Sequence, residues 1–165
     1  MTLYINTIKN NSTEIEIGLR DKAGKWIVKK SVKARYQQAE RLLPLIEKVL
    51  ASASVKFNKD VLKKKKYEVR SKKLEIFNLI DSIKVVNRGG TFTSLRIGVA
   101  TANALGYALG VPVFGVGENG KIADAVKKKL KVTLPAGRQE SEKLKVFNIV
   151  APEYDKEPNI TIRNT

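Results

Sequence analysis

The sequence contains no cysteine and no histidine among its 165 residues. Without cysteine, the protein has no disulfides, thiol nucleophiles or cysteine-ligated zinc. Without histidine, imidazole metal sites and every catalytic scheme that needs an imidazole base are excluded as well. Most hydrolase chemistry is thereby removed, and carboxylate–magnesium chemistry, phosphoryl chemistry or no catalysis remains.

Acidic residues are scarce relative to basic ones: 16 Asp and Glu stand against 32 Lys and Arg, a formal charge of +16. This excess favours a polyanionic partner such as RNA, bound through phosphate neutralisation and counterion release. A lysine-rich proteome, in which charge only keeps proteins in solution, explains the excess equally well. The charge is most concentrated in residues 56–75, where a phosphate contact is predicted at Lys63, Lys64, Lys65, Lys66 and Arg70.

Uncharged runs are rare, and the longest extends from Ile97 to Gly117. Its length would suffice to cross a bilayer. However, it includes Pro112 and changes from helical to strand-like periodicity at Gly110, so no membrane span is predicted. The N-terminus enters strand-like sequence directly, which predicts no signal peptide and a cytoplasmic protein.

Hydrophobic periodicity predicts seven elements in the order β-β-β-α-β-α-β, which is an α/β fold with a mixed sheet. The predicted bounds are Thr2–Thr7, Ser12–Arg20, Trp26–Val32, helix Tyr36–Ala53, Ile80–Val86, helix Phe92–Leu109 and Val113–Val116. A helix after residue 118 and a strand at Lys145–Val150 are also predicted. The chain is therefore divided into a domain at 1–116, with a basic insertion at 56–75, and an appendage at 117–165.

The helix at Phe92–Leu109 carries only one ionised residue, Arg96, and two rows of small residues. One row is Ser94, Gly98, Ala102 and Gly106, and the other is Ala100, Ala104 and Ala108. Glycine inside a helix costs about 0.5–1 kcal/mol relative to alanine, so something is expected to approach the backbone closely.

One row is expected to lie on the sheet and the other on the Tyr36–Ala53 helix. Because that helix is also apolar over about half its circumference, an edge of the two-helix layer is expected to remain exposed for a partner. The predicted partner interface comprises Leu42, Leu43, Ile46, Leu50, Ser94, Leu95, Gly98, Ala102 and Leu105.

The turn before the second helix reads NRGGTFT and presents Gly89, Gly90 and a helix N-terminus. Such a turn can hold an anion, and a residual ATPase is one hypothesis for it. The turn lacks the full P-loop signature, and no acidic residue stands at the expected strand end, so the sequence favours a tight strand-to-helix connection over a nucleotide site.

Several segments resemble the bacterial TsaB family. The segment VVNRGGTFTSLRIGVATANALGYALGVPVFGV (85–116) resembles its signature region, and its FT-x-LRIGVA core is quite specific. LYINT (3–7) is similar to the family's opening strand, ARYQQAERLLPLIEKVL (34–50) to its first helix, and VAPEYDKEPNIT (150–161) to its closing segment. The resemblance implies an actin-like ATPase (ASKHA, ribonuclease H-like) N-terminal domain with a much reduced second half.

The resemblance also implies a function. TsaB proteins are non-catalytic partners of TsaD, which transfers a threonylcarbamoyl group to an adenosine of tRNA, and a TsaE ATPase joins the assembly. Their two N-domain helices form the interface with TsaD or, in its absence, with a second copy. No cofactor and no metal are implied here, because Asn6 replaces the family's strand aspartate. A stand-alone basic RNA-binding module is the alternative.

Overall fold

Five strands form one mixed sheet in the order β3-β2-β1-β4-β5. The structure is a computed structural model that describes residues 1–61, 76–117 and 149–154. The strands are β1 (Thr2–Ile8), β2 (Glu14–Arg20), β3 (Trp26–Lys33), β4 (Ser82–Val86) and β5 (Val113–Val116). The first three form an antiparallel meander, and β4 and β5 extend the sheet in parallel from β1. This topology confirms the predicted α/β, actin-like class.

Two helices pack on the same face of the sheet. Helix α1 (Gln38–Val61) lies on β2 and β3, and helix α2 (Phe92–Leu109) lies on β1, β4 and β5. Alternate strand residues such as Leu3 and Ile17 meet Val49 of α1 and Val99 of α2 in one core. Strands β1 and β2 are buried over nearly their whole length, and alternate residues of β1 divide between this core and a second cluster that includes Tyr4 and Ile8.

The predicted order of elements is confirmed over the described residues, with shifts at some ends. The bounds of α2 and β5 agree with the sequence prediction residue for residue. Helix α1 begins at Gln38 because Tyr36 has a left-handed φ of 60°. It then continues to Val61, past the predicted end at Ala53, because no residue there interrupts it.

Strand β2 begins at Glu14 rather than Ser12. Residues Asn10, Asn11 and Ser12 form a left-handed turn with φ of 50°, 53° and 64°, so extended backbone resumes only after them. Asparagine tolerates this region better than most residues do.

Several predictions fall outside the described residues. They are the lysines at 63–66, Arg70, the helix after residue 118 and most of the Lys145–Val150 strand. The division into 1–116 and 117–165 therefore stays a prediction. Among the described helices, neither is long and apolar enough to cross a membrane.

Candidate partner-binding surface

Helix α2 has a fixed start and a fixed end. The Thr91 hydroxyl oxygen caps the start by accepting from the Ser94 amide at 3.4 Å. At the other end Gly110 adopts a left-handed φ of 62°, and the Val111 amide reaches the Gly106 carbonyl at 3.0 Å. A threonine N-cap and a glycine beyond the last turn therefore set the length of the helix.

The first row of small residues, Ser94–Gly98–Ala102–Gly106, is buried and lies against the sheet. The Thr7 hydroxyl of β1 donates to the Ser94 carbonyl at 2.7 Å. A Cβ atom at Gly98 would lie 2.5 Å from the Thr7 hydroxyl oxygen, which is closer than van der Waals contact allows. The close backbone approach expected from glycine is therefore confirmed, and β1 is the element that makes it.

The second row, Ala100, Ala104 and Ala108, is exposed. This row does not lie under α1, contrary to the sequence prediction. The reason is that α1 lies to the side of α2 on the same face of the sheet. It packs on β2 and β3, and its own apolar side faces those strands. The outward side of α2 thus carries a strip of methyl groups.

Helix α1 also presents apolar side chains outward. Leu43 is 54% exposed, and Ala39 one turn before it is exposed as well. Together, Ala39, Leu43, Ala100, Ala104 and Ala108 are called the outer helical surface. A cavity of about 750 Å³ opens between the N-terminal ends of the two helices, with Ala39, Thr93 and Ile97 among its lining residues.

Most of the nine predicted interface residues are buried. Seven of them are buried in the protein's own core: Leu42, Ile46, Leu50, Ser94, Leu95, Gly98 and Ala102. Leu105 is partly buried against the same core, and only Leu43 is exposed. The helical wheel identified two apolar sides of α2 but not which side faces the strands. The outer helical surface, by contrast, is exposed.

A short C-terminal segment, residues 149–154, covers one flank of α2 and is called the strap. The Asn103 side chain pairs with the backbone of Val150 through two hydrogen bonds, one from Nδ2 to the carbonyl at 2.9 Å and one to Oδ1 from the amide at 3.1 Å. Such a pair imitates a β-sheet bond and holds the strap to the helix.

The end of the strap binds the first turn of α2. The Tyr154 ring stacks on Phe92 with 4.5 Å between centroids, and its hydroxyl accepts from Arg96 Nε at 3.1 Å. The Glu153 amide donates to the Asn87 carbonyl at the end of β4, at 2.7 Å. The one ionised side chain of α2 is therefore engaged by the strap, and the alanine row is left uncovered by the strap.

The glycine turn before α2 is used for packing. A Cβ at Gly90 would meet the Ile8 side chain at 2.6 Å, and the Thr91 amide donates to the Ser12 hydroxyl at 2.9 Å. Asn6 is 5% exposed, and its side-chain oxygen accepts from the Ile8 amide at 2.9 Å. Within the described ranges no three acidic side chains gather to hold a metal. This geometry therefore lends no support to the ATPase hypothesis.

Comparison with known proteins agrees with the sequence resemblance. A family model described as "TsaD: tRNA N6-adenosine threonylcarbamoyltransferase" matches residues 72–142, which is less than half of the chain. This match confirms the predicted relationship to the TsaB and TsaD proteins over those residues. A 37-residue stretch is 54% identical to an uncharacterized protein, ML0378, of Mycobacterium leprae, and covers 22% of this chain and 10% of that protein.

Two solved structures are similar in shape. One is YeaZ from Pseudomonas aeruginosa, with a TM-score of 0.49 and 21% identity over 70% of this chain. The other is a protein with similarity to peptidase YEAZ from Pseudomonas aeruginosa, with the same score, identity and share of this chain. The protein spans about two fifths of each of these chains, 43% and 42%.

Proposed function

We propose that the protein is a non-catalytic scaffold subunit that binds a TsaD-type enzyme through its outer helical surface. In this role it takes part in threonylcarbamoyladenosine modification of tRNA. The observation that supports the proposal most directly is the exposure of the alanine row of α2 together with that of Leu43 of α1. The family match over residues 72–142 supports the identity of the partner.

The alanine row suits a helical partner. Side chains of one carbon let two helix axes approach to the short end of the usual range, about 8 Å. The exposed leucine supplies the larger apolar side chain that an interface centre needs. A contiguous apolar patch on the surface is a common mark of an interaction site.

The chemistry of the reaction is assigned to the partner. The chain has no histidine or cysteine, and the amide of Asn6 is committed to the turn that follows β1. In the same proposal the complex forms in the cytoplasm and accepts a TsaE-type ATPase as a third component. A second copy of the chain occupies the surface when the enzyme is absent.

Co-purification with the cognate TsaD-type protein tests the proposal, with light scattering to size each species. We expect a one-to-one heterodimer when both proteins are mixed, and a homodimer of the chain alone. A wild-type chain that remains monomeric in the presence of the partner would contradict the scaffold role. Adding the TsaE-type protein to the same column tests the third component.

The alternative function, a stand-alone RNA-binding module, was predicted from lysines at 63–66 that lie outside the described residues. The basic sequence of β3, the outermost strand of the sheet, also favours RNA binding. RNA binding there is compatible with the scaffold role, since β3 lies at the opposite edge of the sheet from β5.

A further inference from the structure

Strand β3 is an edge of the sheet and is unusually basic. Residues 21–35 read DKAGKWIVKKSVKAR and contain six Lys or Arg and a single acid, Asp21. The sheet order places β3 outermost, so one side of its backbone and side chains borders no other strand. Lys25, just before β3, and Lys33, its last residue, are both exposed.

The acidic groups near this strand are already engaged. Glu16 of β2 binds Lys9 at 2.6 Å and Lys29 at 3.0 Å. Burial raises the pKa of Glu16, but the hydrogen bonds from Lys9 and Lys29 outweigh it and lower the pKa overall. Asp21 accepts from the Lys25 backbone amide at 2.8 Å and closes the hairpin.

Three cations on β3 or next to it remain available, and Arg35, beyond the end of the strand, is set apart because its guanidinium lies over the Tyr36 ring at 5.2 Å. Among the described residues no carboxylate lies within 4.0 Å of Lys25, Lys30 or Lys33. The N-terminal ammonium chiefly lowers the pKa of Asp81, and Lys22 contributes to the same effect. Lys22 is therefore not counted among the available cations. Lys25, Lys30 and Lys33 are called the basic edge. At about 3.4 Å per residue they span roughly 27 Å, the length of several consecutive phosphates.

The end of α1 adds to the same edge. The register of β2 and β3 shifts so that Ile27 forms a bulge between Trp26 and Val28. Its carbonyl is reached by Lys56 Nζ at 2.7 Å. This part of α1 therefore lies near the start of β3.

We propose that the basic edge binds the phosphate backbone of RNA without regard to base sequence. Charge complementarity favours an extended polyanion over a single phosphate, since Lys30, paired with Ile17, and Lys33, paired with Glu14, project to opposite faces of the sheet, and a chain that runs along its edge can reach both. No base stacking is expected from the aromatic ring at this edge, because Trp26 is half-buried and has Arg20 over its ring at 3.9 Å. Recognition is therefore electrostatic, and it does not depend on the proposed scaffold role.

Lysines on an edge strand have another use, since they prevent pairing with the edges of other sheets. That use requires charge on β3 but no bound RNA. The two explanations differ in what they predict for RNA affinity, which a pair of charge-matched variants can separate.

The test compares two double variants of the full chain. In the edge variant Lys25→Gln and Lys33→Gln remove two charges from the basic edge. In the control, Arg41→Gln and Lys48→Gln remove two exposed charges from the outward side of α1. Both proteins carry the same net charge, two units below the +16 of the wild type. Fluorescence anisotropy with a labelled tRNA and an unrelated RNA of equal length, over a salt series, measures the affinity.

We expect the edge variant to bind both RNAs about tenfold more weakly than the control at low salt, with a salt slope smaller by about 2. An equal loss of RNA affinity in both variants would overturn the proposal, because net charge alone would then account for the binding. Unchanged RNA binding in the edge variant, or edge-dependent binding to phosphatidylglycerol vesicles but not to RNA, would overturn it as well. Co-purification of the edge variant with the TsaD-type protein is expected to match wild type, so failure of one proposal is distinguishable from failure of the other.

Discussion

The two rows of small residues on α2 have similar chemistry and opposite surroundings. The inner row, Ser94–Gly98–Ala102–Gly106, is buried against the strands, and the outer row, Ala100–Ala104–Ala108, is exposed. In the inner row the glycine is required, because Thr7 occupies the space where a side chain would be. In the outer row the three alanines are exposed, and among the described residues nothing comparable to Thr7 restricts the size of the side chain.

The difference shows that small residues on a helix have two separate uses. Those on the inner side let α2 approach β1 closely enough for Thr7 to bond the Ser94 carbonyl. Those on the outer side are exposed, as are Arg96 and Tyr107, and do not pack against β1. The outer row is therefore the part of α2 whose composition points to a partner.

The largest expected effect is on the inner row. Gly98→Leu places a branched side chain where even a Cβ atom would be 2.5 Å from Thr7. We expect a loss of about 3 kcal/mol or more in the free energy of unfolding, because α2 must move off β1. Urea denaturation followed by circular dichroism measures the loss.

Ala100→Leu is the matched control on the outer row. The same side chain is added to the same helix at an exposed position, so stability should change by less than about 0.5 kcal/mol. Comparable destabilisation by both substitutions would mean that the outer row is also packed, and the distinction between the rows would fail.

The sequence predicted the fold well because most of it follows from local periodicity. Alternation in β2 and the apolar stretches of β1, β4 and β5 predicted the strands, and Thr91 and Gly110 mark the ends of α2 by their capping chemistry. The start of α1 was missed because Tyr36 adopts a left-handed conformation that side-chain pattern does not reveal.

The partner surface could be predicted only in part. The sequence shows that α2 has two apolar sides, but the side that meets the sheet depends on its crossing over β1 and β4, which is a tertiary property. The strap was also missed as a contact of α2, since Asn103 and Val150 are 47 residues apart. The basic edge was visible in the composition of residues 21–35, but its exposure follows from the strand order.

An intermediate effect is expected on the outer row. Ala104→Arg introduces a long charged side chain at an exposed position, so the isolated chain should remain folded. In the complex the charge would be buried without a partner, and we expect binding to the TsaD-type protein to weaken about 30-fold, which corresponds to about 2 kcal/mol. Isothermal titration calorimetry measures the affinity.

The control for that substitution is Ala23→Arg in the exposed hairpin between β2 and β3. It adds the same residue and charge far from α2, so affinity for the partner should stay within about twofold of wild type. If Ala104→Arg bound as tightly as Ala23→Arg, the outer row would not be the interface.

The smallest effect is expected on the flank between the two rows. Asn103→Ala removes both hydrogen bonds to the Val150 backbone, and we expect a loss of about 1–2 kcal/mol. The loss should be concentrated in the strap, because Val150 is its one residue in the core cluster of the described chain. Amide exchange measured by NMR should therefore become faster at Val150 than at Val99.

Asn78→Ala, at an exposed turn, controls for loss of an amide elsewhere and should leave the Val150 exchange rate unchanged. Because the strap covers the flank and not the outer row, Asn103→Ala should bind the TsaD-type protein as wild type does. If Asn103→Ala weakened binding to the TsaD-type protein without changing amide exchange at Val150, the flank would lie within the interface. The outer row would then be only part of the surface that the partner covers, and the contrast between the two rows would no longer account for how this helix is used.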